Sequence, residues 1–347
     1  MRTIQMGSTW IGPSRPCLVV AEMSANHHQS LQNALELLHA AKESGADALK
    51  VQTYTPDTMT IRSDREAFRI TRGTWAGQSL YGLYQQAYTP WEWQPRLKEE
   101  AEKLDMVFFS TPFDETAVDF LHEMGVPAFK VASFELVDIP LIRYIAQKGK
   151  PVILSTGMAT LWEIAEAVRT VRDSGNKEMI LLKCVSAYPA APEDMHLRTI
   201  PNLSETFGLP AGISDHTLGH EIALAAVTLG ARVVEKHFTL SREEKGPDSS
   251  FSMEPDEFRT MVQGIRMVEK ALGTVSYEPT EGELQNRVFR RSLFVVKDVR
   301  AGETVTKENV RSIRPGFGLH PRYLLQVMGR NFRKDVKKGT PLSWDLI

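Results

Sequence analysis

Ala211-Gly212-Ile213-Ser214-Asp215-His216 and, 21 residues further on, Arg232-Val233-Val234-Glu235-Lys236-His237 form the stretch whose reading decides the fold. Each half begins as a short apolar run, read as a strand, and passes directly into a polar string ending in histidine. An offset of 21 residues is about one strand–helix–strand step. Two imidazoles at neighbouring strand ends are placed to converge on one metal ion. Taken singly, each reads as an ordinary hydrogen-bonded core or rim residue.

The same unit recurs along the chain. Apolar runs occur at Cys17–Ala21, Ala48–Gln52, Met106–Ser110, Ala128–Ala132, Pro151–Leu154 and Ile180–Val185. With the two histidine-tipped runs they make eight, and near-continuous apolar runs suit strands buried on both faces. Between them lie stretches of helical period, such as Leu31, Ala34, Leu35, Leu38 and Ala41. Gly45, Gly125, Gly149, Gly175 and Gly230 stand where those helices should stop. This α/β alternation predicts a (β/α)8 TIM barrel over residues 1–273. A doubly wound open sheet is the alternative, but no G-x-G-x-x-G turn follows the first strand. One connection, Thr55 to about Pro90, is long and carries Trp75, Tyr81, Tyr84 and Tyr88, with Trp91 at its end. It reads as a lid over the barrel mouth or as an oligomer contact. Residues 274–290 are polar and read as a linker, and 291–347 read as a small module that leans on a barrel.

Composition narrows the setting. The formal net charge of −2 spreads over 41 basic and 43 acidic residues, which argues against nucleic acid and membrane surfaces as partners. No apolar run is long enough to span a bilayer, and Met1-Arg2-Thr3-Ile4-Gln5 lacks the apolar core of a signal peptide. Cys17 and Cys184 are the two cysteines, and both sit in apolar runs. They are expected to be reduced structural thiols in a cytoplasmic protein, a single buried bridge being the alternative.

In the barrel reading almost every strand ends in a chemically useful group. In chain order these are Glu22; Lys50 and Gln52; Thr111; Lys130, Ser133 and Glu135; Ser155; Lys183, Ser186 and Tyr188; then the two histidine strings. A lysine inside a barrel needs an anionic partner. For Lys183 and Lys236, a salt bridge to Glu22, Glu135 or Glu235 competes evenly with a ligand role. For Lys50 and Lys130 a ligand role is favoured, because hydroxyls at Ser133, Ser155 and Ser214 are placed to share the same anion. Lysine with several hydroxyls suits a phosphate monoester.

Taken together these strings resemble the sialic acid synthase family, which condenses phosphoenolpyruvate with amino-sugar aldehydes. The markers are Ser24-Ala25-Asn26-His27, Lys50-Val51-Gln52-Thr53, Ser155-Thr156-Gly157-Met158, Tyr188-Pro189, Ser214-Asp215-His216-Thr217, Glu235-Lys236-His237-Phe238 and Gly246-Pro247-Asp248. The C-terminal segment with Arg314-Pro315-Gly316 looks like the family's antifreeze-like SAF (β-clip) domain. The resemblance implies that His216 and His237 bind a divalent metal, Mn²⁺ first and Mg²⁺ or Co²⁺ as alternatives. It implies that Lys50, Thr111, Lys130, Ser133, Ser155, Ser186 and Ser214 hold phosphoenolpyruvate. Gln52, Tyr188 and Arg314 would hold the sugar, and Glu22 and Asp248 would orient or stabilise the reacting groups. Arg314 would come from a neighbouring subunit, which implies a domain-swapped homodimer.

Gln52-Thr53-Tyr54-Thr55-Pro56-Asp57, Lys130-Val131-Ala132-Ser133-Phe134-Glu135 and the run Arg314 to Pro321 point within the family to a sugar with two acetamido groups and a 6-deoxy methyl. Ser186, where the neuraminate-forming members usually carry Asn, agrees. Synthesis of neuraminic or legionaminic acid is the nearest alternative. A metal-dependent or Schiff-base aldolase using Lys130 or Lys183, and a carbohydrate-binding protein without catalysis, are the alternatives of other classes.

Overall fold

The computed structural model describes residues 2–347, and in it eight parallel strands close into a barrel. They are β1 (Leu18–Glu22), β2 (Ala48–Thr53), β3 (Val107–Pro112), β4 (Phe129–Val131), β5 (Val152–Ser155), β6 (Met179–Cys184), β7 (Ala211–Asp215) and β8 (Val233–His237). Closure is by β8 against β1, with Val233 opposite Leu18 and His237 opposite Glu22. Each strand is followed by a helix that packs outside it: α1 (Leu31–Glu43), α2 (Gln94–Lys103), α3 (Glu115–Glu123), α4 (Ile139–Gln147), α5 (Leu161–Asp173), α6 (Thr199–Phe207), α7 (Glu221–Thr228) and α8 (Pro255–Leu272). Local chemistry sets the helix starts. Ser30, Asp114 and Asp138 accept from amides of the first turn of α1, α3 and α4. Thr160 and Glu163 form a reciprocal capping box on α5.

Two apolar layers follow from strand alternation. Val19, Ala21, Leu49, Val51, Leu154, Leu181 and Ile213 face the helices, while Leu18, Val20, Ala48, Phe109, Ile153, Leu182 and Val233 fill the barrel interior. An N-terminal hairpin, Ile4–Met6 paired with Thr9–Ile11, adds Ile4, Met6 and Ile11 to the interior cluster. These strands of three residues are too short for any periodicity to announce them.

The long connection after β2 is not an irregular loop. It contains helical turns at Pro56–Met59 and Leu80–Ala87. A further correction concerns the histidine strings themselves. Ser214 and Asp215 belong to β7, and Glu235, Lys236 and His237 belong to β8, instead of following those strands. Among the described residues no helix is long and apolar enough to cross a membrane.

The chain divides after Gly273. The second unit has its own core, in which Leu293, Val295, Val310, Phe332 and Leu342 pack together around an antiparallel pair, β9 (Ser292–Val295) and β10 (Val310–Ile313). Residues 274–290, read as a plain linker, carry a short helix at Glu281–Asn286 capped by Thr280. The Val288 carbonyl accepts from the Gly316 amide, so the end of that segment belongs to the second unit.

Candidate active site

Two residues further along each strand, the apolar interior becomes polar. From Val20 the step reaches Glu22; from Ala48, Lys50; from Phe109, Thr111; from Ile153, Ser155; from Leu182, Cys184; from Val233, Glu235. Lys130, Ser214 and His237 share this inward parity on β4, β7 and β8. Parity also sorts the four lysines. Lys50 and Lys130 point inward. Lys236 falls on the helix-facing side, where it pairs with Asp215 at 2.8 Å and donates to the Thr217 carbonyl at 2.6 Å. Its partner is therefore Asp215, not Glu22, Glu135 or Glu235. Lys183 is half-buried, donates to the Cys184 carbonyl at 3.2 Å, and forms no ion pair among the described residues.

Lys50, expected to meet phosphate, already has carboxylate partners. It is paired with Glu22 at 2.6 Å and with Glu235 at 3.5 Å, and lies 3.4 Å from the Thr111 hydroxyl. Burial pushes Lys50 down, and the two carboxylates more than offset it, holding the ammonium above the usual lysine value. Glu22 is held above the ordinary carboxylate range by burial, with Glu235 adding to the effect. Glu235 is held below it, since Lys130 and Lys50 outweigh its burial.

Lys130 is the inward lysine without a carboxylate partner among the described residues. Its ammonium donates to Ser155 Oγ at 2.7 Å and to the Val131 carbonyl at 3.0 Å, and burial pulls its pKa down. Ser133 Oγ accepts the Gly157 amide at 3.0 Å. A Cβ on Gly157 would collide with the Ser133 and Ser186 hydroxyls, so those groups converge on one small cradle. Lys130, Ser133, Ser155, Ser186 and the Gly157 turn thus converge on a small cradle whose chemistry suits an anion. Ser214 donates to Glu235 at 3.1 Å.

The imidazoles of His216 and His237 lie 5.3 Å apart, centroid to centroid. The Nδ1 of His216 sits 2.9 Å from the Val185 carbonyl, so it carries an N–H and the ring is oriented by that bond; burial pulls its pKa down, but Cys184 and the Val185 carbonyl more than offset this. His237 Nδ1 is buried with no hydrogen-bond partner among the described residues. Burial, reinforced by His216, Lys50 and Lys236, holds His237 well below the usual histidine value, so its ring is neutral. An orphaned buried nitrogen beside a second oriented imidazole fits a metal, and two nitrogen donors suit a transition ion better than Mg²⁺. No ready group of three His, Cys, Asp or Glu ligands occurs among the described residues, so other donors would complete the shell.

The tyrosine ring of Tyr188 packs on His216 at 4.4 Å and on Phe251 at 5.2 Å. Asp248 accepts from Ser24 Oγ at 2.5 Å, and Gln52 donates to both Ser24 Oγ and Glu22 Oε1 at 3.0 Å. Burial holds Asp248 above its usual value, opposed by the Ser24 hydroxyl and the Ala25 amide. Trp75 closes the mouth: its indole donates to the Pro247 carbonyl at 2.8 Å and its ring lies 5.4 Å from Tyr188. Arg314 is exposed, in the second unit, and directly follows β10.

Cys184 was missed as a site residue and read as purely structural. Its thiol lies 3.9 Å from both Ser186 Oγ and His216 Nδ1. Burial raises its pKa, but His216, Ser133 and Lys130 bring it down to about 7. It is a free, buried thiol, as is Cys17. Strand parity was the signal that would have found Cys184, since Ile180 and Leu182 precede it on the inner face.

A lysine–hydroxyl cradle suited to an anion and two neighbouring imidazoles share one barrel mouth, the arrangement of a barrel enzyme's active site. Residues 37–277 match the NeuB family and residues 290–347 match the SAF domain. The chain belongs to the NeuB family. It is 46% identical over 332 residues to the pseudaminic acid synthase of Helicobacter pylori, covering 95% of this chain and 98% of that protein. The N,N'-diacetyllegionaminic acid synthase of Legionella pneumophila is 38% identical over 341 residues, covering 97% and 96%. The solved N-acetylneuraminic acid synthetase of Leptospira borgpetersenii superposes with a TM-score of 0.74 at 33% identity, covering 82% of this chain and 95% of that one.

Proposed function

We propose that this protein condenses phosphoenolpyruvate with 2,4-diacetamido-2,4,6-trideoxy-L-altrose and water, releasing pseudaminic acid and phosphate. This is the reaction of a pseudaminic acid synthase, a transferase. The observation that carries the reading is the common inward register, which sets the Lys130 cradle and the His216–His237 pair in one mouth. The choice of sugar rests on the higher identity to the pseudaminic than to the legionaminic synthase.

In this reading Lys130, Ser133, Ser155, Ser186 and the Gly157 turn hold phosphoenolpyruvate, with Lys50, Thr111 and Ser214 alongside. Gln52, Tyr188 and Asp248 hold the sugar. The enol carbon attacks the sugar aldehyde and the C–C bond forms. Water adds to the resulting cationic carbon, and phosphate leaves with C–O cleavage. Glu22 and Asp248, both held above the usual carboxylate range by burial, are the groups available to hold or pass the proton from that water. A divalent ion on His216 and His237, Mn²⁺ before Mg²⁺ or Co²⁺, would supply Lewis-acid polarisation of the aldehyde. Arg314 reaches the sugar from the second unit of a neighbouring subunit in a domain-swapped homodimer. The setting is cytoplasmic, with Cys17 and Cys184 reduced.

Phosphate release with a panel of acetamido sugars, with and without chelator, tests the proposal. Release should require phosphoenolpyruvate, be fastest with the diacetamido altrose derivative, stop with chelator and return with Mn²⁺. His216→Ala and His237→Ala should each abolish it. Substrate trapped on a lysine by borohydride, or sugar binding without any phosphate release, would replace the synthase with an aldolase or a binding protein.

A further inference from the structure

Beside His237 the mouth opens into a cavity of about 410 Å³, a size typical of small-molecule sites. Its walls are largely apolar, with Met59, Ile70, Leu80 and Leu83 from the connection after β2, and Phe113 and Phe134 from the loops after β3 and β4. Two carboxylates line it, Asp248 and Glu135. Asp248 already accepts from Ser24. Glu135 forms no ion pair among the described residues, and its Oε2 is buried without a hydrogen-bond partner. Lys130, on the strand before it, donates to Ser155 and the Val131 carbonyl instead.

A buried acceptor with no donor is costly, and a ligand that brings a donor relieves that cost. The donor must also suit apolar walls around it. An acetamido group meets both demands, since it places one N–H beside one methyl. We propose that Glu135 is the specificity residue for the second acetamido group of the sugar, accepting its N–H while the apolar walls take its methyl. This rests on the diacetamido sugar of the proposed function.

Burial raises Glu135 to about 7, opposed by Lys130 and reinforced by Asp138, and Tyr84 is the further titratable group that faces it. The carboxylate form accepts the N–H more strongly than the protonated form does. Sugar affinity should therefore be full above pH 7 and fall as pH drops through about 7.

The test compares the wild-type enzyme, Glu135→Gln and Glu135→Ala on the diacetamido sugar and on an analogue lacking one acetamido group. A charge-assisted hydrogen bond predicts that both variants raise the KM for the diacetamido sugar about tenfold to a hundredfold. The KM for phosphoenolpyruvate should stay put, preference over the analogue should shrink by the same factor, and the pH dependence near 7 should flatten. An unchanged sugar KM and unchanged preference in both variants, or wild-type affinity that rises on acidification, would overturn the assignment. Failure of the wild type to turn over any diacetamido sugar would instead overturn the proposed function, so the two failures are separable.

Discussion

Lys130 and Lys236 are both almost fully buried, at 2% and 1% exposure, yet they stand on opposite sides of the same sheet. Lys236 is satisfied by Asp215 and the Thr217 carbonyl, so its charge is structural. Removing one member of such a pair strands the other, and Lys236→Ala should lower the unfolding free energy by about 3–5 kcal/mol. Lys130 makes no direct ion pair and shares the charge of Glu235 with Lys50, so Lys130→Met should cost less stability than Lys236→Ala while the KM for phosphoenolpyruvate climbs at least about a hundredfold. Urea unfolding and steady-state kinetics on both variants decide it; the reverse pattern would exchange the two roles. The sequence placed all four lysines at strand ends but could not say which were which. One residue of offset turns a side chain from the barrel interior to the helix layer, and that offset was hidden while Glu235-Lys236-His237 read as loop. Cys184 was hidden differently, standing inside the run Ile180–Val185 with its inward parity unassigned.

At the scale of elements, the turn after β5 shapes the anion site more than any single side chain. Gly157 presents its amide to Ser133 and leaves no room for a Cβ beside the Ser133 and Ser186 hydroxyls. Gly157→Ala should keep the barrel folded, with a change in melting temperature of only a few degrees, while weakening phosphoenolpyruvate about tenfold or more. Isothermal titration with phosphoenolpyruvate alone reads this directly. The strands were legible because each is a short apolar run bounded by turns, and all eight occur where the runs stand. The helix inside the connection after β2 was obscured because Leu80–Ala87 shares its stretch with irregular chain. Which of its aromatics reach the site was equally hidden. Trp75 and Tyr84 line the cavity, whereas Trp91 packs on Phe120.

The whole molecule consists of two units, each with its own core. If Arg314 acts on a neighbouring subunit's barrel, two inactive variants should complement. Arg314→Ala and His237→Ala, coexpressed, should restore about a quarter of the wild-type sites, because half the dimers are mixed and each mixed dimer has one intact site. No restoration, with both variants dimeric by light scattering, would place Arg314 on its own barrel or outside the site.

What the sequence determined by itself was the periodic order: eight apolar runs, helices between them and polar residues at each strand's far end. Those features are local, set by hydrophobic alternation and by caps a few residues long. The motif strings, read through resemblance, also carried the family. Only the tertiary structure decided the pairings. It tied Lys50 to Glu22 and Glu235, left Lys130 without a direct carboxylate partner among the described residues, joined Ser24 to Asp248 across 224 positions, and left Glu135 facing the cavity with an unclaimed oxygen. Those outcomes depend on strand register around a closed ring, where groups distant in sequence meet at hydrogen-bond range. No local pattern encodes which of them will be neighbours.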